Sequence, residues 1–223
     1  MSEEVKPRVL PIYFVADESG SMAEFVGMLK EGLTGLYDAM QGEPLAASKV
    51  RFSVIGFSDG VTEHLSLADL TEIERDDMPR LGSFGSTSYL RLFEDLTTRI
   101  PRDLATLKGE YEVFRPAVFF LTDGMPTSEG WEAAYERVKA LPAQPNVLAF
   151  GVRGADEGVL SRLASQPEWA SITEEGADTG RALVAFMVAL TRSVVLSARA
   201  IAAGESELVV ERPALFRIAT PLV

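Results

Sequence analysis

Two short apolar runs that each end in an aspartate constrain this chain more than any other feature. Residues 9–16 run straight into Asp17, and residues 117–122 run straight into Asp123. Runs of this length, rich in β-branched and aromatic residues, are the pattern of strands buried on both faces. Such strands need a layer of helices on each side, and the sequence between them has the periodicity to supply it. Phe25, Met28, Leu29, Leu33, Leu36, Tyr37 and Met40 fall at helical spacing and predict a helix over 23–40. Gly27, Gly32 and Gly35 weaken that helix by up to about 1 kcal/mol each and suggest close packing on a sheet.

The rest of the chain continues the alternation. Residues 49–57 and 61–67 read as two strands of an antiparallel edge hairpin, joined at Ser58-Asp59-Gly60. Leu90, Phe93, Leu96 and Ile100 place a helix over 86–100, with 101–115 as a loop or an extension of it. A helix that follows Pro126-Thr127 and runs to about 140, a strand at 146–151, a short helix at 157–165 and a weak strand at 169–172 come next. The last helix spans 179–202 and stops before Gly204, a favourable helix end. Strands separated by helices require crossover connections. The expected fold class is therefore α/β, doubly wound and Rossmann-like: three αβα layers with a mostly parallel sheet and one antiparallel edge strand. Residues 8–203 form this domain. The tail, 204–223, carries Leu208, Val209, Val210, Leu215, Phe216 and Ile218, too apolar for a free linker, and is expected to dock.

Composition narrows the function. The 33 acidic against 21 basic residues give a net charge of −12, which opposes binding to a nucleic-acid backbone or an anionic membrane. With no cysteine, a disulfide framework, a thiolate zinc site and a cysteine nucleophile are all excluded. Residues 1–7 lack a basic start followed by an apolar core, so no signal peptide is read there. The longest uncharged apolar run, 182–190, falls short of the ~20 residues of a membrane span. The expected location is the cytoplasm, with no nucleic-acid or membrane partner.

Chemistry gathers where the apolar runs end. Asp17, Ser19 and Ser21 alternate in a loop in which Gly20 permits a tight turn. In open parallel sheets ligands bind outside the carboxyl ends of the strands, where the strand order reverses. Asp123 is expected at the same end of the sheet, and two neighbouring carboxylates are reconciled by a cation between them. Hydroxyl and carboxylate oxygens suit Mg²⁺, with Mn²⁺ or Ca²⁺ as alternatives, rather than zinc. Each piece has a plainer reading. Asp17 to Ser21 could cap the following helix, Thr87 could be a helix N-cap, and Asp123-Gly124 could be a strand-end turn. His64, the lone histidine, reads as a partly exposed edge-strand residue, Trp131 and Trp169 as packing residues, and 151–154 as a turn. The acidic stretch 72–77 reads as a solvated loop, with a second cation site as the alternative.

Three elements occur in a fixed order: Asp17-x-Ser19-x-Ser21 after a strand, Phe84-Gly85-Ser86-Thr87-Ser88 before a helix, and Leu121-Thr122-Asp123-Gly124 after the central strand. Together they resemble the metal-ion-dependent adhesion site of von Willebrand factor A domains. The string Phe14-Val15-Ala16-Asp17-Glu18-Ser19-Gly20-Ser21-Met22 looks closest to the bacterial TerY-type branch, associated with tellurite-resistance and stress-response operons. The resemblance implies that Ser19 and Ser21 give hydroxyl oxygens to the metal, joined by Thr87 in the ligand-bound form. It implies that Asp17 and Asp123 act mainly through water, leaving one position for a partner's carboxylate. Ser86 stands where this family often has a second glycine, which leaves Ser86 or Thr87 to face the metal. The resemblance thus implies a non-catalytic binding module, with kinase or phosphatase components of one operon as possible partners. The same aspartates would also serve metal-dependent phosphoryl transfer or phosphate-ester hydrolysis. Against this, Ser19 occupies the position where such a design carries a second aspartate, and no lysine or arginine is expected beside the loop. In a third reading the metal only staples loops together.

Overall fold

The computed structural model describes residues 6–205 and 208–220; residues 1–5, and so most of the segment read for a signal peptide, lie outside it, as do the last three of the tail. The strands are β1 (Arg8–Asp17), β2 (Val50–Phe57), β3 (Val61–Ala68), β4 (Glu112–Val113), β5 (Ala117–Thr122), β6 (Asn146–Gly151), β7 (Ala170–Thr173) and β8 (Phe216–Ile218). The helices are α1 (Val26–Gln41), α2 (Pro44–Ala47), α3 (Tyr89–Lys108), α4 (Trp131–Lys139), α5 (Glu157–Leu163) and α6 (Thr179–Ala202).

The sheet runs β3-β2-β1-β5-β6-β7-β8, with the two-residue β4 paired to the start of β1. Pairs from β2 through β7 are parallel, while β3 and β8 are antiparallel edges. This is the expected α/β architecture with a difference at one margin: the tail supplies a second antiparallel edge. Side chains alternate across the sheet as period two requires. Ile12, Phe14, Phe119 and Leu121 face one core with α1 and α6, whereas Tyr13, Val15, Val118 and Phe120 face the other with α3, α4 and α5. Two dry layers around β1 and β5 hold those strands rigidly, and their last residues carry the site.

Several local expectations are corrected. The stretch after Ser19 starts as a 3₁₀ turn, Gly20–Phe25, before α1 begins. Of the three glycines of α1, Gly32 packs against Met187 of α6 rather than against the sheet, and Gly27 and Gly35 face open space. Helix α3 begins at Tyr89 rather than at 86, and of the two readings for 101–115 the extension holds as far as Lys108, where Leu104 and Leu107 continue its buried face. Helix α6 is long and apolar enough to cross a membrane by composition alone, yet Leu183, Phe186, Leu190 and Val194 are buried against the sheet.

Candidate metal centre

The strand order places the site. From β1 the chain winds outward through β2 to β3, then restarts at β5 and winds the other way, so order reverses between β1 and β5. Helices depart on opposite faces there and leave a crevice at the carboxyl ends. Ala16 pairs with Leu121, so Asp17 and Asp123 leave adjacent strands side by side.

All five residues singled out in the sequence come to this crevice. Asp17 is 1% exposed, and Ser19, Thr87 and Asp123 are buried; Ser21 is exposed at the mouth. The Ser21 hydroxyl donates to Asp123 Oδ1 at 2.8 Å, Ser19 Oγ approaches the same oxygen at 3.4 Å, and the two hydroxyls are 3.0 Å apart. Asp17 is fixed by the Ser19 amide on Oδ1 at 2.8 Å and the Thr122 hydroxyl on Oδ2 at 2.7 Å. A Cβ added to Gly124 would lie 3.1 Å from Thr87 Oγ1 and 3.8 Å from Asp17 Oδ2, so glycine keeps the space between them open.

The plainer readings fit less well. Ser19 precedes the 3₁₀ turn but makes no side-chain cap, its hydroxyl facing Asp123 instead. The N-cap of α3 is Ser88, which accepts from the Arg91 amide, not Thr87. Ser86 turns away to Asp59, whose Oδ1 accepts its amide at 3.0 Å and its hydroxyl at 2.6 Å. That bond holds the left-handed turn at Gly85 (φ 73°), and Thr127 fixes Thr87 through two hydrogen bonds to its carbonyl. Asp59 and Thr127 are therefore supports that a motif search passes over.

Electrostatics asks for a cation here. Burial pushes the Asp17 carboxyl up from its ordinary range, and the nearby Asp123 charge pushes it the same way, opposed by hydrogen bonds from Thr122 and Ser19. Asp123 Oδ2 is buried with no hydrogen-bond partner. An orphaned carboxylate oxygen among hydroxyls, beside a second buried carboxylate, is the donor set that a hard divalent cation completes. No three His, Cys, Asp or Glu side chains converge as a metal cluster among the described residues, so hydroxyls must supply part of any ligand set. The stretch 72–77 is open to solvent at its acidic residues, with Arg75 turned to Asp38 at 2.8 Å.

Two neighbours were not foreseen. Glu18 is 1% exposed and its Oε1 meets His64 Nε2 at 2.8 Å and the Gly82 amide; His64 is thus half-buried and engaged. Arg153, in the supposed plain turn after β6, donates to the Ser21 carbonyl at 3.1 Å, pairs with Glu24 and stacks on Phe25. A guanidinium does therefore lie beside the loop, brought from 132 residues away, which corrects the expectation of none.

No family model matches this sequence, and no curated protein matches it. Solved structures do. The pilus adhesin SpaC of Lactobacillus rhamnosus GG superposes over 86% of this chain and 31% of its own, with a TM-score of 0.64 at 17% identity. A von Willebrand factor type A structure from Catenulispora acidiphila covers 84% of this chain and 43% of its own, with a TM-score of 0.56 at 15% identity. This chain has the von Willebrand factor A fold. Proximal thread matrix protein 1 of the mussel byssus shares it too, with a TM-score of 0.59, 17% identity and coverage of 86% of this chain and 49% of its own. That protein has also been solved with a zinc-occupied MIDAS motif. The present chain spans less than half the length of each of these proteins.

Proposed function

We propose that this von Willebrand factor A-type domain is a non-catalytic, metal-dependent protein-binding module. The observation that carries the reading is Asp123 beside the buried Asp17: its Oδ1 meets the Ser19 and Ser21 hydroxyls while its buried Oδ2 has no partner. Ser19, Ser21 and Thr87 would present hydroxyl oxygens, and Asp17 and Asp123 would act mainly through water. When bound, a hard cation, Mg²⁺ or else Mn²⁺ or Ca²⁺, supplies an electron-poor centre that takes up a partner's carboxylate. The zinc reported in the byssus protein shows that a site of this kind in that protein also accepts a softer ion. Metal choice here rests on the all-oxygen donor set.

Phosphoryl transfer finds less support. Both Asp17 oxygens already accept a hydrogen bond and the carboxylate is buried, which makes it a poorly accessible nucleophile for an incoming phosphorus. Arg153 donates to the Ser21 carbonyl and pairs with Glu24, and among the described residues it makes no hydrogen bond to Asp17 or Asp123. The finer setting rests on the 14–22 string alone: a stress-response or tellurite-resistance assembly with kinase or phosphatase partners.

Calorimetric titration with Mg²⁺ and Mn²⁺ tests the module. The Asp17→Ala/Ser19→Ala variant should lose at least about tenfold in affinity, or ~1.4 kcal/mol. Unchanged metal binding in a folded double variant would sink the proposal.

A further inference from the structure

The crevice is polar, yet two large apolar side chains stand exposed at its rim. Phe84 is 56% exposed and Met125 57% exposed, the one three residues before Thr87 and the other two after Asp123. The Phe84 amide is bonded to the Glu18 carbonyl at 2.8 Å and Gly20 to the Gly85 carbonyl at 3.3 Å, so the loop carrying Phe84 is tied to the Asp17–Ser21 loop. Arg153 completes the third side, its side chain 35% exposed beside Ser21. Its two bonded nitrogens use only part of the five donors a guanidinium offers. Phenylalanine and methionine held open to water around a polar depression are unfavourable in isolation. Aromatic, methionine and arginine side chains are the types enriched in protein interfaces.

We propose that Phe84 and Met125, with Arg153 beside them, form a recognition rim for a partner-protein loop whose metal-seeking carboxylate is flanked by a large apolar residue. The inference rests on the carboxylate-capture reading above and adds the identity of the neighbouring residue. Charge complementarity fixes the sign: the cation and Arg153 together favour an acidic side chain at the centre. The flanking apolar group then covers Phe84 or Met125 and drives water off the ion pair. Methionine's flexible thioether accommodates more than one shape of neighbour, which gives a preference for apolar character rather than for one residue.

Two uncharged-ended pentapeptides test the rim: one with aspartate between leucines, the other with aspartate between serines. Each is titrated into the Mg²⁺-loaded full chain to millimolar concentration and followed by amide chemical shifts. The leucine-flanked peptide should bind roughly five- to tenfold more tightly. The exposed-site variant Phe84→Ser/Met125→Ser should keep the wild-type Mg²⁺ affinity and lose that preference. Equal binding of both peptides, or a preference that survives in the variant, overturns the rim while leaving carboxylate capture in place. If Mg²⁺ binds but neither peptide does, carboxylate capture itself fails and the rim falls with it.

Discussion

At the scale of the residue, Glu18 shows how tightly this site is built. Its side chain lies in a slot floored by Gly56 of β2 and closed by Gly82, and a Cβ on Gly56 would overlap the carboxylate. Through His64 it reaches β3, through the Gly82 amide it reaches the loop leading to Thr87, and its own backbone sits between Asp17 and Ser19. Oε2 has no partner, so the carboxylate has little freedom to move without losing the bonds that Oε1 makes. Gly56→Ala should force Glu18 out and destabilise the fold by about 1–3 kcal/mol, the usual cost of overpacking. Urea denaturation measures this, and a change within error would show that the slot can relax. Asp17, Ser19 and Ser21 were legible in the sequence because their alternation is local. Glu18 and Arg153 were not, because their partners lie 46 and 132 residues away.

Among the elements, α6 and the tail form one unit. Ser193 and Ser197, both fully buried, bond the tail backbone: Ser193 Oγ accepts from the Glu211 amide at 2.9 Å, and Ser197 Oγ from Val209 at 2.9 Å. The tail then lays β8 against β7, and Arg217 pairs with Glu157 at the start of α5. That pairing and the Thr220 amide pull the Glu157 carboxyl down to about 2. A carboxyl depressed in the folded state stabilises above its unfolded value of 4.5, and the benefit disappears as pH falls toward 2. Glu157→Gln should thus be less stable than wild type at pH 7, with the difference shrinking below pH ~4.5. A difference that stays constant across that range would show the pair adds nothing, as exposed pairs sometimes do. Docking of the tail was readable from its apolar residues. Its strand was not, because three residues gain strand geometry only when β7 offers an open edge. For α3 the sequence left a loop or an extension past Pro101 open, and burial of Leu104 decides for the extension over a local helix breaker.

For the whole molecule, the site is a point where stability and binding oppose each other. Burial and the neighbouring Asp123 charge both raise the Asp17 carboxyl, so at neutral pH, above its unfolded value of 3.8, this group lowers the stability of the metal-free domain. A cation that binds only the folded chain reverses this, by about 2.7 kcal/mol at a hundredfold excess over its dissociation constant. Asp17→Asn should therefore melt higher than wild type in EDTA and gain nothing from added Mg²⁺. Thermal scans in the two buffers measure it, and a variant that melts lower in EDTA would show that Asp17 stabilises the fold by its hydrogen bonds alone. The sequence by itself determined the layered α/β fold, because runs of apolar residues at period two and 3.6 fix which faces are buried wherever those elements end up. It also determined that oxygen-bearing residues cluster at strand ends, since each loop announces its own. Only the tertiary structure decided which of Ser86 and Thr87 faces the crevice, that Asp123 Oδ2 is left without a partner, and that Phe84, Met125 and Arg153 ring the site. Those are relations between loops distant in the chain, and strand order at the β1–β5 switch brings them together.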